Sequence, residues 1–239
     1  MFRWRPELEP LLAPAAIETG QVIVDYGCGP GMLASELAGR VGPSGTIHAV
    51  DLNEEFVRRT RERAAAEGFG DRVSVHRVAD DRLPLADGSV DRVICKNVLE
   101  YVTDVARILR EFRRVLRPGG LLHAIDSDWG MLVVEPIGAE RLAELFAAAA
   151  FAYRTPLIGR KLFGLFRETE LRDVNVRVLT GADTRGHLAP IVFNMASYAR
   201  ASGRLDTTKI DRLVADVRRS ITERTYLLVL PQFLVTGAV

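Results

Sequence analysis

"VIVDYGCGPGMLASELA", residues 22–38, passes from an apolar run through an acid to three glycines at alternate positions and then into a helical pattern. A tight turn needs one glycine. Gly27, Gly29 and Gly31 together mark a place where something besides protein must come close to the backbone, because a residue without Cβ leaves room for it. Read this way, residues 22–38 are the exit of a buried strand into a helix, and the same alternation continues downstream.

The first strand is "QVIVD" (21–25), followed by a helical stretch near 31–40. "GTIHAVD" (45–51) is a second strand, and "NEEFVRRTRERAAAEG" a charged helix that Asn53 caps, Glu54 and Glu55 suit in the first turn, and Gly68 ends. "RVSVHRV" (72–78) and "VDRVICK" (90–96) are the third and fourth strands. In "TDVARILREFRRVLRPGG", Val105, Ile108, Leu109, Phe112, Val115 and Leu116 share one helix face, with Pro118-Gly119-Gly120 as the stop signal. "LLHAID" (121–126) is the fifth strand. Near-continuously apolar strands separated by helices predict a parallel sheet covered on both faces, that is, a doubly wound α/β domain of Rossmann-like type.

After residue 126 the rhythm changes. Helical stretches are expected at about 138–153 and 156–168, then a strand "VNVRVLT", two more helices, and a closing strand in "YLLVLPQFLVTGAV" that returns antiparallel at the sheet edge. Segments 127–170 and 182–224 are too long for plain connections. They read as helical insertions after strands 5 and 6 on the ligand face, within one domain spanning 1–239 whose core is 20–126.

Bulk properties narrow the function. With 32 basic against 31 acidic residues the formal net charge is +1, which gives no general attraction to nucleic acid or to an anionic membrane. Only Lys96, Lys161 and Lys209 are lysines; the other basic residues are arginine. Cys28 and Cys95 make no disulfide framework, and no metal-ligand cluster is visible. No signal peptide or membrane span stands out, so a cytoplasmic protein, monomer or homodimer, is expected.

The loop has its own chemistry. In open parallel sheets ligands sit beyond the carboxyl ends of the strands, where the strand order reverses. The spacing here is G-x-G-x-G, not the G-x-G-x-x-G of dinucleotide sites, and Asp25 stands two residues ahead of the first glycine. An acid aimed at a pyrophosphate repels it, whereas an acid aimed at an ammonium or sulfonium attracts it. Asp51, ending the second strand, can accept from both hydroxyls of a ribose. Asp80 or its neighbours could meet an adenine edge after the third strand, and Asn97 is expected to leave the fourth strand beside the ligand.

The series "VDYGCGPG", "AVDLNEEFV", "LPLADGSVDRVICKNVLEYVTD" and "LREFRRVLRPGGLL" resembles class I S-adenosylmethionine-dependent methyltransferases, within them the small-molecule branch related to ubiquinone/menaquinone methyltransferases. The resemblance covers about residues 20–126. It implies a seven-stranded sheet with an antiparallel last strand and S-adenosylmethionine as cofactor. Asp25, Gly27, Cys28, Gly29 and Gly31 would surround the methionine part, Asp51 the ribose, Leu52 the adenine face, and Asn97 the methyl-bearing end. The family often has Gly-Asp-Ala before Leu-Pro; "VADDRLP" departs from it, so either Ala79 or Asp80 holds the adenine position.

The implied reaction is methyl transfer to an O, N, C or S atom of a small molecule, a specialised metabolite among the options, with no metal. The alternatives are a protein or nucleic-acid methyltransferase, or an S-adenosylmethionine-binding module without catalysis. Against the former, the position after the fourth strand reads "KNVLEYV" without the Asn/Asp-Pro-Pro-aromatic motif of amino-methylating enzymes. No catalytic residue is fixed by the sequence; His187, Tyr101 and Asp128 are the candidates. Trp129, Phe151, Tyr153, Phe163, Phe193, Tyr198 and Tyr226 are expected to line an acceptor pocket. His48, His76 and His123 fall inside strand patterns and read as core or edge residues.

Overall fold

A computed structural model describes residues 6–78 and 82–239. Along the chain the regular elements are α1 (Glu9–Leu12), β1 (Val22–Tyr26), α2 (Met32–Val41), β2 (Thr46–Asp51), α3 (Glu54–Ala66), β3 (Val73–Arg77), β4 (Val90–Lys96), α4 (Val105–Val115) and β5 (Leu116–Ser127). They continue as β6 (Val133–Glu135), α5 (Gly138–Ala149), α6 (Ile158–Glu168), β7 (Arg172–Leu179), β8 (Ala182–Asp183), α7 (Ala189–Ser202), α8 (Thr207–Glu223), β9 (Leu227–Val229) and β10 (Gln232–Ala238).

Seven strands form one sheet in the order β3-β2-β1-β4-β5-β10-β7. β1 pairs in parallel with β2 and β4, β2 with β3, and β4 with β5, while β10 runs antiparallel to both neighbours. Strand order therefore reverses between β1 and β4, which opens the crevice where α/β sheets take their ligands. The closing strand was expected at the sheet edge. It lies one place in, between β5 and β7, and β7 is the edge.

Both faces of the sheet are covered, as the apolar strand runs require. On one face Ile108, Leu109, Phe112 and Val115 of α4 join Ile158, Leu162 and Phe166 of α6 against Val24, Val93, Leu122 and Val235. On the other, Leu12 of α1 and Leu37, Ala38 and Val41 of α2 pack over Ile23, Ile47, Ile94 and Leu234. α4 stops at Val115, ahead of Pro118, because Leu116 already pairs with Val90 in the sheet. His123 is fully buried and its Nε2 meets the Leu11 carbonyl at 2.7 Å, tying the N-terminal turn to β5. His48 and His76 face each other across β2 and β3 at 3.1 Å. Cys28 and Cys95 are buried and unpaired.

The first long insertion divides in two. Its second helix, α6, covers the sheet, whereas α5 joins α7 and α8 in a separate apolar core that includes Leu145, Val192, Met195, Val217 and Tyr226. A small sheet, β6-β9-β8, belongs to this second core. It splits the closing segment: β9 pairs with β6 and β8, Leu230 and Pro231 carry the chain across, and β10 enters the main sheet.

Candidate functional site

The turn between β1 and α2 is fixed from below. The N–H groups of Gly27 and Cys28 donate to the Val50 carbonyl at 2.8 and 3.0 Å, and the Thr60 hydroxyl donates to the Gly29 carbonyl at 2.7 Å. Gly27 has φ +72°, and a Cβ there would lie 2.2 Å from Val98 Cγ2, so this glycine lets the loop rest on the β4 exit. Gly29, at φ +52°, has nothing within 4 Å of its absent Cβ; here the open side faces away from protein. Gly31 is the residue from which α2 starts.

A cavity of about 440 Å³ lies over this turn, lined among the described residues by Tyr26, Gly27, Gly29, Val50, Asp51, Leu52, Asn53, Phe56, Val78, Asn97, Val98, Tyr101 and Val102. Asp51 ends β2 at its wall. One carboxylate oxygen accepts from the Gly29 N–H at 2.9 Å and the other from the Asn53 N–H at 2.8 Å. Both bonds come from backbone, so the carboxylate is aimed before any ligand arrives, and each oxygen keeps lone-pair capacity. Leu52 is 75% exposed on the rim, a large apolar side chain with no protein cover. Asn97 holds φ +56°, a conformation rare outside glycine, and its N–H donates to the Ile125 carbonyl of neighbouring β5.

Asp25 stands behind this wall. It is 1% exposed, and one carboxyl oxygen has no hydrogen-bond partner among the described residues. Burial, then the nearby Asp51 charge, pushes its carboxyl up to about 7, opposed by Lys96. Burial and the Asp25 charge push the Cys28 thiol up to about 12, so it packs as a neutral group. Of the sequence-predicted cofactor residues, Gly27, Gly29, Asp51, Leu52 and Asn97 line the cavity, whereas Asp25, Cys28 and Gly31 support it. Ala79 and Asp80 lie outside the described residues.

A second cavity, about 410 Å³, adjoins the first through Asn97 and Tyr101. Lys96, Glu100, Ser127, Trp129, Tyr153 and Gln232 line it, with Leu11, Leu188, Ile191, Asn194 and Leu230. Its base is a buried polar layer. Asp126 accepts from the N–H groups of Val98, Leu99 and Ser127 at 3.2, 2.9 and 3.0 Å, and burial, then Glu100, pushes it up to about 7. Glu100, also raised by burial, accepts from the Trp129 indole N–H. Tyr101 stacks on Tyr153 with centroids 5.8 Å apart, and Trp129 meets Tyr153 at a tilt of 45°, 4.8 Å away.

The candidates for catalysis separate here. Tyr101 sits between the two cavities, its hydroxyl held protonated by burial and by Glu100. Asp128 does not reach either: it is fully buried, accepts from Gly130 N–H at 3.0 Å and Arg160 N–H at 3.2 Å, and pairs with the Arg160 guanidinium. It is a structural acid that ties β5 to α6, because its lone pairs are taken. His187 is also absent from both cavities and lies in an outer groove with Asp183 and Arg185. Of the seven aromatics expected in the acceptor pocket, Trp129 and Tyr153 line it. Tyr198 backs Tyr153 at 6.1 Å and meets Phe151, Phe193 lies under Arg218, Tyr226 is in the second core, and Phe163 points outward from α6. Lys96 lines the second cavity and was missed by motif reading; its signal was a lone lysine at a strand's carboxyl end in an arginine-rich chain.

Fold and site can be set beside known proteins. The sheet order is that of a doubly wound α/β domain with its crevice at the glycine turn, and residues 24–124 match the family described as "Methyltransferase domain". Over 112 residues the chain is 33% identical to the ubiquinone/menaquinone biosynthesis C-methyltransferase UbiE of Hahella chejuensis, covering 47% of this chain and 45% of that one. Over 182 residues it is 27% identical to a demethylmenaquinone methyltransferase of Geobacillus kaustophilus, covering 76% and 73%. A SAM-dependent methyltransferase from Aquifex aeolicus shares the fold, with TM-score 0.56 at 22% identity over 73% of this chain and 87% of that one. Residues 24–124 are thus similar to S-adenosylmethionine-dependent methyltransferases, and in sequence to their small-molecule branch. The chain spans less than half the length of the curated relatives it matches at 33% identity or above. Among the described residues no helix is long and apolar enough to cross a membrane.

Proposed function

We propose that the protein transfers a methyl group from S-adenosylmethionine, held in the first cavity, to a small-molecule acceptor held in the second. The observation that carries this reading is the junction: two adjoining cavities of about 440 and 410 Å³ share only Asn97 and Tyr101 among their described lining residues. Each volume suits one small molecule. The residues present fit the cofactor on their own chemistry. Asp51 offers a pre-aimed carboxylate for a ribose diol, Leu52, Val78 and Val98 offer apolar walls for a base, and the unpartnered Asp25 oxygen puts negative charge behind the loop where a sulfonium would sit.

When bound, the sulfonium supplies an already activated methyl group, and transfer is an in-line displacement. The chain's contribution is position and exclusion of water. Holding two reactants in line contributes about 7–11 kcal/mol in favourable cases. Asn97, fixed by its backbone conformation, and Tyr101, a proton-bearing hydroxyl, flank the line between cavities. Trp129 and Tyr153 close the acceptor side. The named relatives support a small-molecule acceptor, and the balanced charge of the chain does not favour a nucleic-acid track.

Titration calorimetry with S-adenosylmethionine, S-adenosylhomocysteine and NAD tests the reading. The first two are expected to bind and the third to give no heat. Binding of NAD alone would overturn it.

A further inference from the structure

We propose that His48 and His76 form a site for a divalent transition-metal ion of the zinc or copper kind, which ties β2 to the edge strand β3. The site lies outside both cavities, and the proposal goes beyond the functional reading above without depending on it.

The fold brings the two rings together. β2 and β3 run in parallel, with His48 opposite Ser74 and Val50 opposite His76. Residues two apart on a strand share a face, and so do partners across a ladder. His48 and His76 are therefore diagonal neighbours on one side of the sheet, the side on which Val50 joins the core under α4. Their rings meet there: His48 Nδ1 lies 3.1 Å from His76 Nε2, and the centroids are 5.3 Å apart. Among the described residues the chain passes from β3 to β4 without a helix, and both rings keep part of their surface in solvent.

The spacing is that of two ligands on one ion. Imidazole nitrogens bind Zn2+ at about 2.0–2.1 Å, so two nitrogens 3.1 Å apart subtend about 100° at the metal, between the octahedral and tetrahedral angles. Without an ion, a proton holds the pair, one nitrogen donating to the other. An ion takes that place when each ring turns about its Cβ–Cγ bond and aims its lone pair at a common point beside the line. Burial lowers both imidazoles, helped by His76 beside His48 and by Arg61 beside His76. This favours the neutral ring, which is the form that binds metal.

The donor set selects the ion. Imidazole suits Zn2+ and Cu2+, whereas Mg2+ and Ca2+ take oxygen ligands. No group of three or more histidines, cysteines and acids is placed to hold a metal among the described residues, so solvent fills the remaining positions. The result is a two-histidine clamp and not a closed structural site. Its place gives it a purpose. β3 pairs with β2 alone, and β2 carries Asp51 three residues beyond His48. An ion that holds the folded pair more tightly than the unfolded chain stabilises the fold by mass action.

The test is calorimetry of the full chain, free of any polyhistidine tag, with Zn2+ alone. The wild type should bind one Zn2+, and its melting temperature should rise by about 5–10 °C at about a hundredfold excess of free Zn2+ over the dissociation constant. His48→Gln and His76→Gln should each bind Zn2+ at least about tenfold more weakly and lose most of that rise, with the far-UV circular dichroism of the wild type showing that they are folded. His187→Gln, in the outer groove, should match the wild type. Cu2+ on the wild type should show two nitrogen ligands by electron paramagnetic resonance, and one on either of the first two variants. Absence of Zn2+ binding by the wild type overturns the proposal. Binding that survives both substitutions overturns it too, since it marks an adventitious ion only, and so does Mg2+ bound as tightly as Zn2+.

Discussion

Asp51→Ala separates the cofactor reading from a merely structural role for this acid. The side chain accepts two backbone hydrogen bonds, from Gly29 at 2.9 Å and Asn53 at 2.8 Å, and both donors are reachable by water once the carboxylate is gone. Unfolding free energy should therefore fall by only about 1 kcal/mol. Binding should suffer more. A hydrogen bond to a charged group is worth about 1.5–3 kcal/mol, so losing the ribose contact should weaken S-adenosylhomocysteine roughly 10- to 150-fold. Asp51→Asn should fall close to the alanine variant, since its amide NH2 would confront one of the two backbone donors. Calorimetry with S-adenosylhomocysteine, run beside urea unfolding of each variant, gives both numbers. Affinity within threefold of wild type at unchanged stability would refute the reasoning, because the carboxylate would then be occupied with the loop alone.

The other expectations concern glycine, charge and burial. Gly27→Ala drives a methyl against Val98 and should cost about 1–3 kcal/mol of stability in urea unfolding, whereas Gly29→Ala should cost at most about 2 kcal/mol and yet weaken S-adenosylhomocysteine more than tenfold. Asp25 and Asp126 titrate near 7 in the fold but near 4 unfolded, so the folded state retains protons that the unfolded chain releases. Stability without ligand should be full below about pH 4 as regards these two groups, and fall as pH rises to about 7; Asp25→Asn should flatten part of that slope. A sulfonium favours ionised Asp25, so affinity for S-adenosylmethionine relative to S-adenosylhomocysteine should rise from about pH 6 to about pH 8 in calorimetry, and not in Asp25→Asn. Asp128→Asn should lower stability by about 1–3 kcal/mol, measured by urea unfolding, and leave S-adenosylhomocysteine affinity within twofold.

The sheet through β5 was legible because each strand carries its own signal. "QVIVD", "GTIHAVD" and "VDRVICK" are apolar runs bounded by glycine or by acids, and every one lies within a residue or two of its observed strand. After residue 126, "VNVRVLT" carries the signal of β7, but the shorter strands carry none. β6, β8 and β9 have three residues or fewer, too short for any periodicity, and exist because tertiary pairing places them side by side. The place of β10 inside the sheet is equally non-local, decided by pairing with β5 on one side and β7 on the other. In the site, Asp51 and the glycines were readable from their spacing around β1 and β2. Asp25 was legible as an acid but not as a buried one. Asp128 resembled a ligand-facing acid in "DSDWG" until Arg160, 32 residues later, was seen to occupy it. Lys96 needed the cavity, since no motif distinguishes a lysine that ends a strand from one that ends in solvent.

The most direct measurement is a crystal structure of the protein with S-adenosylhomocysteine. The account predicts the ribose hydroxyls on the Asp51 carboxylate, the base against Leu52, and the thioether sulfur facing Asn97 and the cavity of Lys96, Trp129 and Tyr153. The nucleoside bound in the outer groove of His187 and Arg185, or with Asp51 free of it, would contradict that account.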